Sequence, residues 1–238
     1  MRLLIIGDGK MGRAIEQLAR ERGHTVLAIL GARDNGGGDA IATHAAAADV
    51  AIEFTEPAAA RANVTACIAA GLPVVTGTTG WYDALPDVER LVRDRDGALF
   101  WSPNFSIGVA LALEVARQLG VVFAQHPQFD AHLVETHHRA KKDAPSGTGA
   151  AMAAAVADSL GRGVPTTSVR VGHVPGTHTL ILDGPFEQVT LSHEARDRRV
   201  FADGALRAAE WLAGRSGIFT MRDLVRAQRP NVGTQEGA

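Results

Sequence analysis

The sequence predicts an α/β fold in which a doubly wound parallel sheet is joined to a second, α+β lobe. Three observations lead there. Short apolar runs alternate with helical patterns over the first hundred residues. A glycine-rich turn follows the first apolar run directly and opens a helix. After Asn104 the pattern changes to one long helix and then to runs spaced like an antiparallel or mixed sheet.

Leu3-Leu4-Ile5-Ile6 is a continuous apolar run of the kind that parallel sheets bury on both faces. Met11, Ile15, Leu18 and Ala19 then fall on one helical stripe that ends near Gly23. Val26 to Leu30 and Val50 to Phe54 read as the next strands. Pro57 stands early in the following helix, where its missing N–H costs nothing, and that helix stops at Gly71. Pro73 to Thr76 is a further strand, 83–95 an amphipathic helix, and Ala98 to Trp101 another buried strand. Residues 33–39 (RDNGGGD) read as a connector, and the Ala-rich segment 42–48 carries no signal.

In the second lobe, Ile107 to Leu119 forms a helix and Ala131 to Glu135 a strand. A polar loop (136–148), an Ala-rich helix (149–160) and three strands at 167–171, 177–183 and 187–195 follow. A helix over 203–214 closes the pattern. The expected domains are therefore 1–105 with 207–238, and 106–206.

Composition narrows the function. Of 238 residues, 24 are Lys or Arg and 26 Asp or Glu, a formal charge of −2. That balance excludes a protein whose affinity comes mainly from counterion release on nucleic acid. No apolar run approaches the ~20 residues that span a bilayer, and the apolar start is too short for a signal peptide. Cys67 is the single cysteine, so neither an internal disulfide nor a Cys-based zinc site can form. The expectation is a soluble, cytoplasmic, globular protein with no membrane and no nucleic-acid partner.

The turn Gly7-Asp8-Gly9-Lys10-Met11-Gly12 has the form G-x-G-x-x-G between a strand and a helix. The first Gly permits the tight turn, the second lets the backbone approach a pyrophosphate, and the third lets helix and strand pack closely. Phosphates would rest on N–H groups at the helix start. This makes the first domain Rossmann-like. No G-K-[ST] follows, which excludes a P-loop. Val75-Thr76-Gly77-Thr78-Thr79-Gly80 is a second small-residue loop at the end of a later strand. Small residues there would let a nicotinamide ribose approach the backbone, although taken alone the loop reads as an ordinary turn.

The segment 135–149, ETHHRAKKDAPSGTG, places two His, three basic residues and a Ser-Gly-Thr helix entry within fifteen positions. Ser146 reads as an N-cap. The helix start offers N–H groups and a positive dipole end, and with His137, His138, Arg139 and Lys141 upstream the loop suits a carboxylate-bearing substrate. A solvated basic loop is the bland alternative. No metal is expected, since adjacent His on extended backbone point opposite ways and no carboxylate or Cys sits at ligand spacing. His24, His44, His126 and His132 read as surface or structural; His173, His178 and His193 divide evenly between pocket-facing and packed roles. No G-x-S-x-G elbow is present.

These residues resemble the 4-hydroxy-tetrahydrodipicolinate (dihydrodipicolinate) reductase family of lysine and diaminopimelate synthesis. The resemblance runs along nearly the whole chain: GDGKMG at 7–12, EFTEP at 53–57, GLPVVTGTTGW at 71–81, SPNFSIGV at 102–109, the 135–149 segment, and FADGALRAAEWLAGRSGIFTMRDL at 201–224. It implies a homotetramer with a central substrate-binding and tetramerisation domain, acting with NADPH or NADH on a small cyclic dicarboxylate. It implies His137 as acid/base and Lys141 as proton donor, with His138, Gly147 and Thr148 as substrate contacts. Gly7 to Gly12, Gly77, Thr78, Thr79, Ser102, Pro103, Asn104 and Phe105 become the cofactor contacts. Another small dehydrogenase would lack the 135–149 loop, and a nucleotide-sensing regulator would carry a DNA-binding module.

One departure concerns the nucleotide. The acidic residue that holds the ribose 2′-OH at the tip of the second strand is missing, for the tip reads Gly31-Ala32-Arg33. Both nucleotides are expected to work, with NADPH held more tightly through Arg33 and Lys10.

Overall fold

The computed structural model describes residues 1–35 and 38–227. The described residues form two compact units: Met1–Phe105 together with Phe201–Ala227, and Ser106–Val200.

The first unit holds a six-stranded sheet of order β10-β5-β4-β3-β1-β2. Its strands are β1 (Arg2–Ile6), β2 (Thr25–Leu30), β3 (Val50–Glu53), β4 (Val74–Thr76), β5 (Ala98–Trp101) and β10 (Gly217–Phe219), and every pairing is parallel. Leu3, Leu4, Ile5 and Ile6 are fully buried, as a strand covered on both faces requires. Helices α1 (Lys10–Glu21), α3 (Pro57–Ala69) and α4 (Leu85–Asp94) fill the crossovers, and Gly12, Ile15 and Ala19 form the buried stripe of α1. Strand order reverses between β1 and β3. At that switch point ligands bind outside the carboxyl ends of the strands.

A short helix, α2 (Asp39–Ala45), starts at the last residue of the 33–39 connector, runs into the Ala-rich stretch that carried no signal, and buries Ile41. The return of the chain comes at Phe201, ahead of the expected 207, because α7 (Arg199–Leu212) buries Ala202, Ala205 and Leu206. Gly204 lets this helix lie against the Phe105 carbonyl; a β-carbon there would come within 1.6 Å of that oxygen. The edge strand β10 and α8 (Met221–Ala227) had no counterpart in the sequence pattern.

The second unit is a four-stranded sheet of order β7-β6-β8-β9 with two helices packed on it. Strands β6 (Asp130–His137) and β7 (Thr166–Arg170) are parallel. β6 with β8 (Thr177–Asp183) and β8 with β9 (Gln188–Glu194) are antiparallel. Ala112 and Ala116 of α5 (Ile107–Phe123) and Met152 and Val156 of α6 (Gly147–Leu160) meet Leu133, Leu180 and Leu182 in its core. β6 runs two residues further than the sequence pattern suggested. Pairing with β7 and β8 carries Thr136 and His137 out of the expected loop and into the sheet.

Candidate active site

In β6 side chains alternate between faces, so Leu133, Glu135 and His137 all turn toward the helix-covered side. Leu133 is core, and beyond it the same stripe becomes polar: Glu135 is 0% exposed and His137 is 7%. Register then builds a row across the sheet. Ser168 stands opposite Glu135, Glu135 opposite His178, and His178 opposite His193. The His137 and His178 rings meet edge-on at 5.1 Å.

Glu135 is the hub. Its Oε1 accepts from Arg170 Nη2 at 2.7 Å and from the Ser146 backbone N–H at 3.3 Å, and its Oε2 forms an ion-pair contact with His137 Nδ1. Ser146 caps α6 by accepting from the Gly149 N–H at 3.0 Å, and its hydroxyl also reaches His178 Nε2 at 3.1 Å. The helix entry is thereby fastened to the strand that carries the histidines. An added β-carbon on Gly147 would meet nothing within 4 Å, so the helix start opens onto free space. Lys141 lies on Asp143, its Nζ donating at 2.7 and 2.9 Å.

Burial would raise the Glu135 carboxyl, but hydrogen bonds from Ser168, Arg170 and Ser146 outweigh it and hold it at about 2. Glu135 is thus an anion at every working pH. Burial lowers His137, with Glu135 pulling the other way and Lys141 adding to the depression. Burial and the neighbouring His137 push His178 down to about 4, so it is neutral near pH 7. Lys141 holds the Asp143 carboxyl below its ordinary value.

Ligand atoms of Glu135, His137 and His178 all lie within 4.8 Å of one another. This corrects the expectation that no carboxylate stands at ligand spacing: Glu135 does, two residues before His137 on the same strand face. Two imidazoles and a carboxylate are a donor set for a divalent ion, yet Arg170 already neutralises that carboxylate and opposes a second cation there.

In the first unit the predicted cofactor residues follow the carboxyl ends of β1, β4 and β5, with Arg33 past the end of β2. Gly7 has a φ of +113°, and a β-carbon on it would lie 2.0 Å from the Phe54 carbonyl oxygen. One on Gly12 would lie 1.8 Å from the Gly7 oxygen, whereas one on Gly9 would meet nothing within 4 Å. Close packing at the first and third glycines and open space at the second form the cradle a pyrophosphate needs, so the residues fit a dinucleotide. Behind it, buried Glu53 accepts from Thr76 Oγ1 at 2.5 Å, Thr78 Oγ1 at 3.0 Å, the Thr55 N–H at 3.1 Å and the Thr55 hydroxyl. Gly77 presses on the Phe54 ring.

Residues 1–105 match the family description dihydrodipicolinate reductase, N-terminus, and residues 108–225 match dihydrodipicolinate reductase, C-terminus. The chain belongs to the dihydrodipicolinate reductase family. Proteins named 4-hydroxy-tetrahydrodipicolinate reductase are similar along most of their length. The one from Acidiphilium cryptum is 39% identical, covering 94% of this chain and 97% of its own. The one from Christiangramia forsetii is 32% identical over 94% and 98%. A solved structure titled dipicolinate-bound dihydrodipicolinate reductase, from Paenisporosarcina sp. TG-14, shares the fold with a TM-score of 0.79 at 21% identity, covering 92% of this chain and 97% of that one. Family membership makes the chain an NAD(P)H-dependent oxidoreductase whose N-terminal domain binds the dinucleotide. Among the described residues no helix is long and apolar enough to cross a membrane.

Of the residues expected to serve this chemistry, His137 ends β6 and Lys141 lies near enough to act on its ring. Gly147 and Thr148 open α6, whose cap Ser146 is bonded to Glu135, and His138 is half-exposed just past β6. Phe105 is core, 1% exposed and stacked near Phe54 and Phe100, so only its backbone is available to a ligand. Ser102 accepts from the Asn104 N–H at 3.2 Å and donates to its carbonyl, closing a tight turn. Arg33 is exposed beyond the end of β2. Sequence reasoning misses Glu135 and Arg170. Glu135 at i−2 from His137 on a predicted strand was a usable signal; Arg170, 33 residues further on, was not.

Proposed function

We propose that this chain reduces 4-hydroxy-tetrahydrodipicolinate to tetrahydrodipicolinate, with His137 and Lys141 managing protons and His138, Gly147 and Thr148 holding the substrate. The observation that carries this is the convergence at the end of β6: a histidine backed by a buried carboxylate, a lysine, and an open helix N-terminus.

At the start of α6, Gly149 N–H is taken by the Ser146 hydroxyl and Ala150 N–H by the Ser146 carbonyl. A ring carboxylate would approach the first turn at Gly147 and Thr148, favoured by the helix dipole, and would compete there with Asp143, whose carboxylate accepts from the Gly147 backbone. Glu135 engages His137 Nδ1 and so reserves Nε2 for the substrate side, where the ring can take or give a proton as the hydroxyl leaves as water. Bound NAD(P)H supplies the hydride. Lys141 then protonates the electron-rich neighbour of the reduced carbon, and Asp143 keeps its ammonium in place.

The first unit would hold the dinucleotide on Gly7, Asp8, Gly9, Lys10, Met11 and Gly12. Gly77, Thr78, Thr79, Ser102, Pro103, Asn104 and the Phe105 backbone complete the site, and Arg33 stands near the adenosine end. A homotetramer is supported by apolar side chains left exposed on the second unit: Val169, Val171, Val189, the fully exposed Phe186, and Leu111 and Val115 on α5. A cytoplasmic enzyme is the corresponding setting.

Lys141→Ala tests the assignment. Turnover is expected to fall about 10²–10⁴-fold, the usual worth of a general acid, with dinucleotide affinity unchanged. Turnover near the wild-type value would refute it.

A further inference from the structure

The geometry points to Asp8 as the carboxylate that discriminates between NADH and NADPH, standing in for the acidic residue missing from the end of β2. The inference rests on the first unit being the dinucleotide site and adds to it a specificity-determining residue.

The glycine turn is tied to the end of β2, since the Gly7 N–H donates to the Leu30 carbonyl at 2.8 Å. Asp8 comes next and lays its carboxylate against Gly31, the first residue past that strand. A β-carbon on Gly31 would lie 2.8 Å from Asp8 Oδ2, 2.9 Å from Cγ and 3.3 Å from Oδ1. The carboxylate therefore occupies the space that a side chain at position 31 would fill. In doubly wound sheets that place belongs to the acidic group that accepts from the ribose 2′-OH and repels a 2′-phosphate. Here the group arrives from the neighbouring turn.

Asp34, the nearest acidic residue in sequence, turns its carboxylate back toward the Gly31 N–H at 3.4 Å. Asp8 is exposed, so a ligand can reach it. The expectation of tighter NADPH binding assumed no carboxylate at this tip; with Asp8 there, the 2′-phosphate meets an anion as well as the cations Arg33 and Lys10. Glycine at 31 is part of the device. Its backbone tolerates alanine, whose methyl group would push the flexible Asp8 side chain off the tip.

The test is calorimetric titration of NADH and NADPH into wild type, Asp8→Asn and Gly31→Ala at fixed salt. In Asp8→Asn the ratio Kd(NADPH)/Kd(NADH) is expected to fall about 10- to 150-fold, the worth of one hydrogen bond to a charged group. In Gly31→Ala it falls in the same direction by less. An unchanged ratio in Asp8→Asn overturns the assignment, and a shift there that Gly31→Ala fails to reproduce overturns the placement against Gly31. Failure of the wild type to bind either nucleotide would instead remove the dinucleotide site itself, and this inference with it.

Discussion

Replacing Glu135 by glutamine removes one charge from a fully buried site without changing its shape, and the donors around the carboxylate fix the outcome. Arg170 can only donate, so the new amide must keep its oxygen toward Nη2, now 2.7 Å away. Its NH₂ then faces His137 Nδ1, which must become an acceptor. The ring proton moves to Nε2, and the nitrogen kept for substrate changes from acceptor to donor. Losing a charge-assisted hydrogen bond costs about 1.5–3 kcal/mol of stability. The inverted tautomer costs the proton-transfer step, about 10²–10⁴-fold in kcat. Since Glu135 opposes the burial that depresses His137, its removal lowers His137 further, and the acid limb of the kcat profile moves to lower pH. The assay is loss of NAD(P)H absorbance against pH, with dinucleotide Kd and urea unfolding measured alongside. An unchanged kcat and acid limb would refute the positioning role, even if stability fell.

Thr148→Val keeps the β-branched shape and removes the hydroxyl. KM for the dicarboxylate is expected to rise about tenfold, the worth of one hydrogen bond, with nucleotide affinity constant; a matching loss of nucleotide affinity would contradict the substrate role. Glu53→Gln places an NH₂ among groups that all donate to the carboxylate. It is expected to cost about 1–3 kcal/mol in unfolding experiments and to weaken both nucleotides alike. Acid stability should fall in two windows. His178 drops from 6.5 to about 4 on folding, so the unfolded chain takes up its proton first and stability declines as pH falls from 6.5 to 4, by about 3 kcal/mol. Glu135 drops from 4.5 to about 2, and its contribution is lost between those values. Unfolding free energies flat from pH 7 to 4 would contradict the first window.

What the sequence by itself determined is whatever local period and local chemistry control. Leu3–Ile6 announced a strand buried on both faces, the Met11, Ile15, Leu18 and Ala19 stripe announced α1, and the glycine turn between them announced a phosphate cradle. The 135–149 segment carried its family likeness within fifteen residues, with Ser146 legible as a cap. Other features were settled only by the tertiary structure, because they depend on pairings between segments far apart in the chain. Nothing local says that Glu135 faces His178 and that His178 faces His193; strand register decides it, and a slip of one residue would turn Glu135 to the other face. Arg170 reaches the site only because β7 pairs in parallel with β6. Three-residue β10 is too short to carry a period and exists as the partner of β5. Asp8 read as one more position in a glycine turn until the fold set its carboxylate against Gly31, 23 residues away, and there the acidic group missing from the sequence pattern is supplied through space.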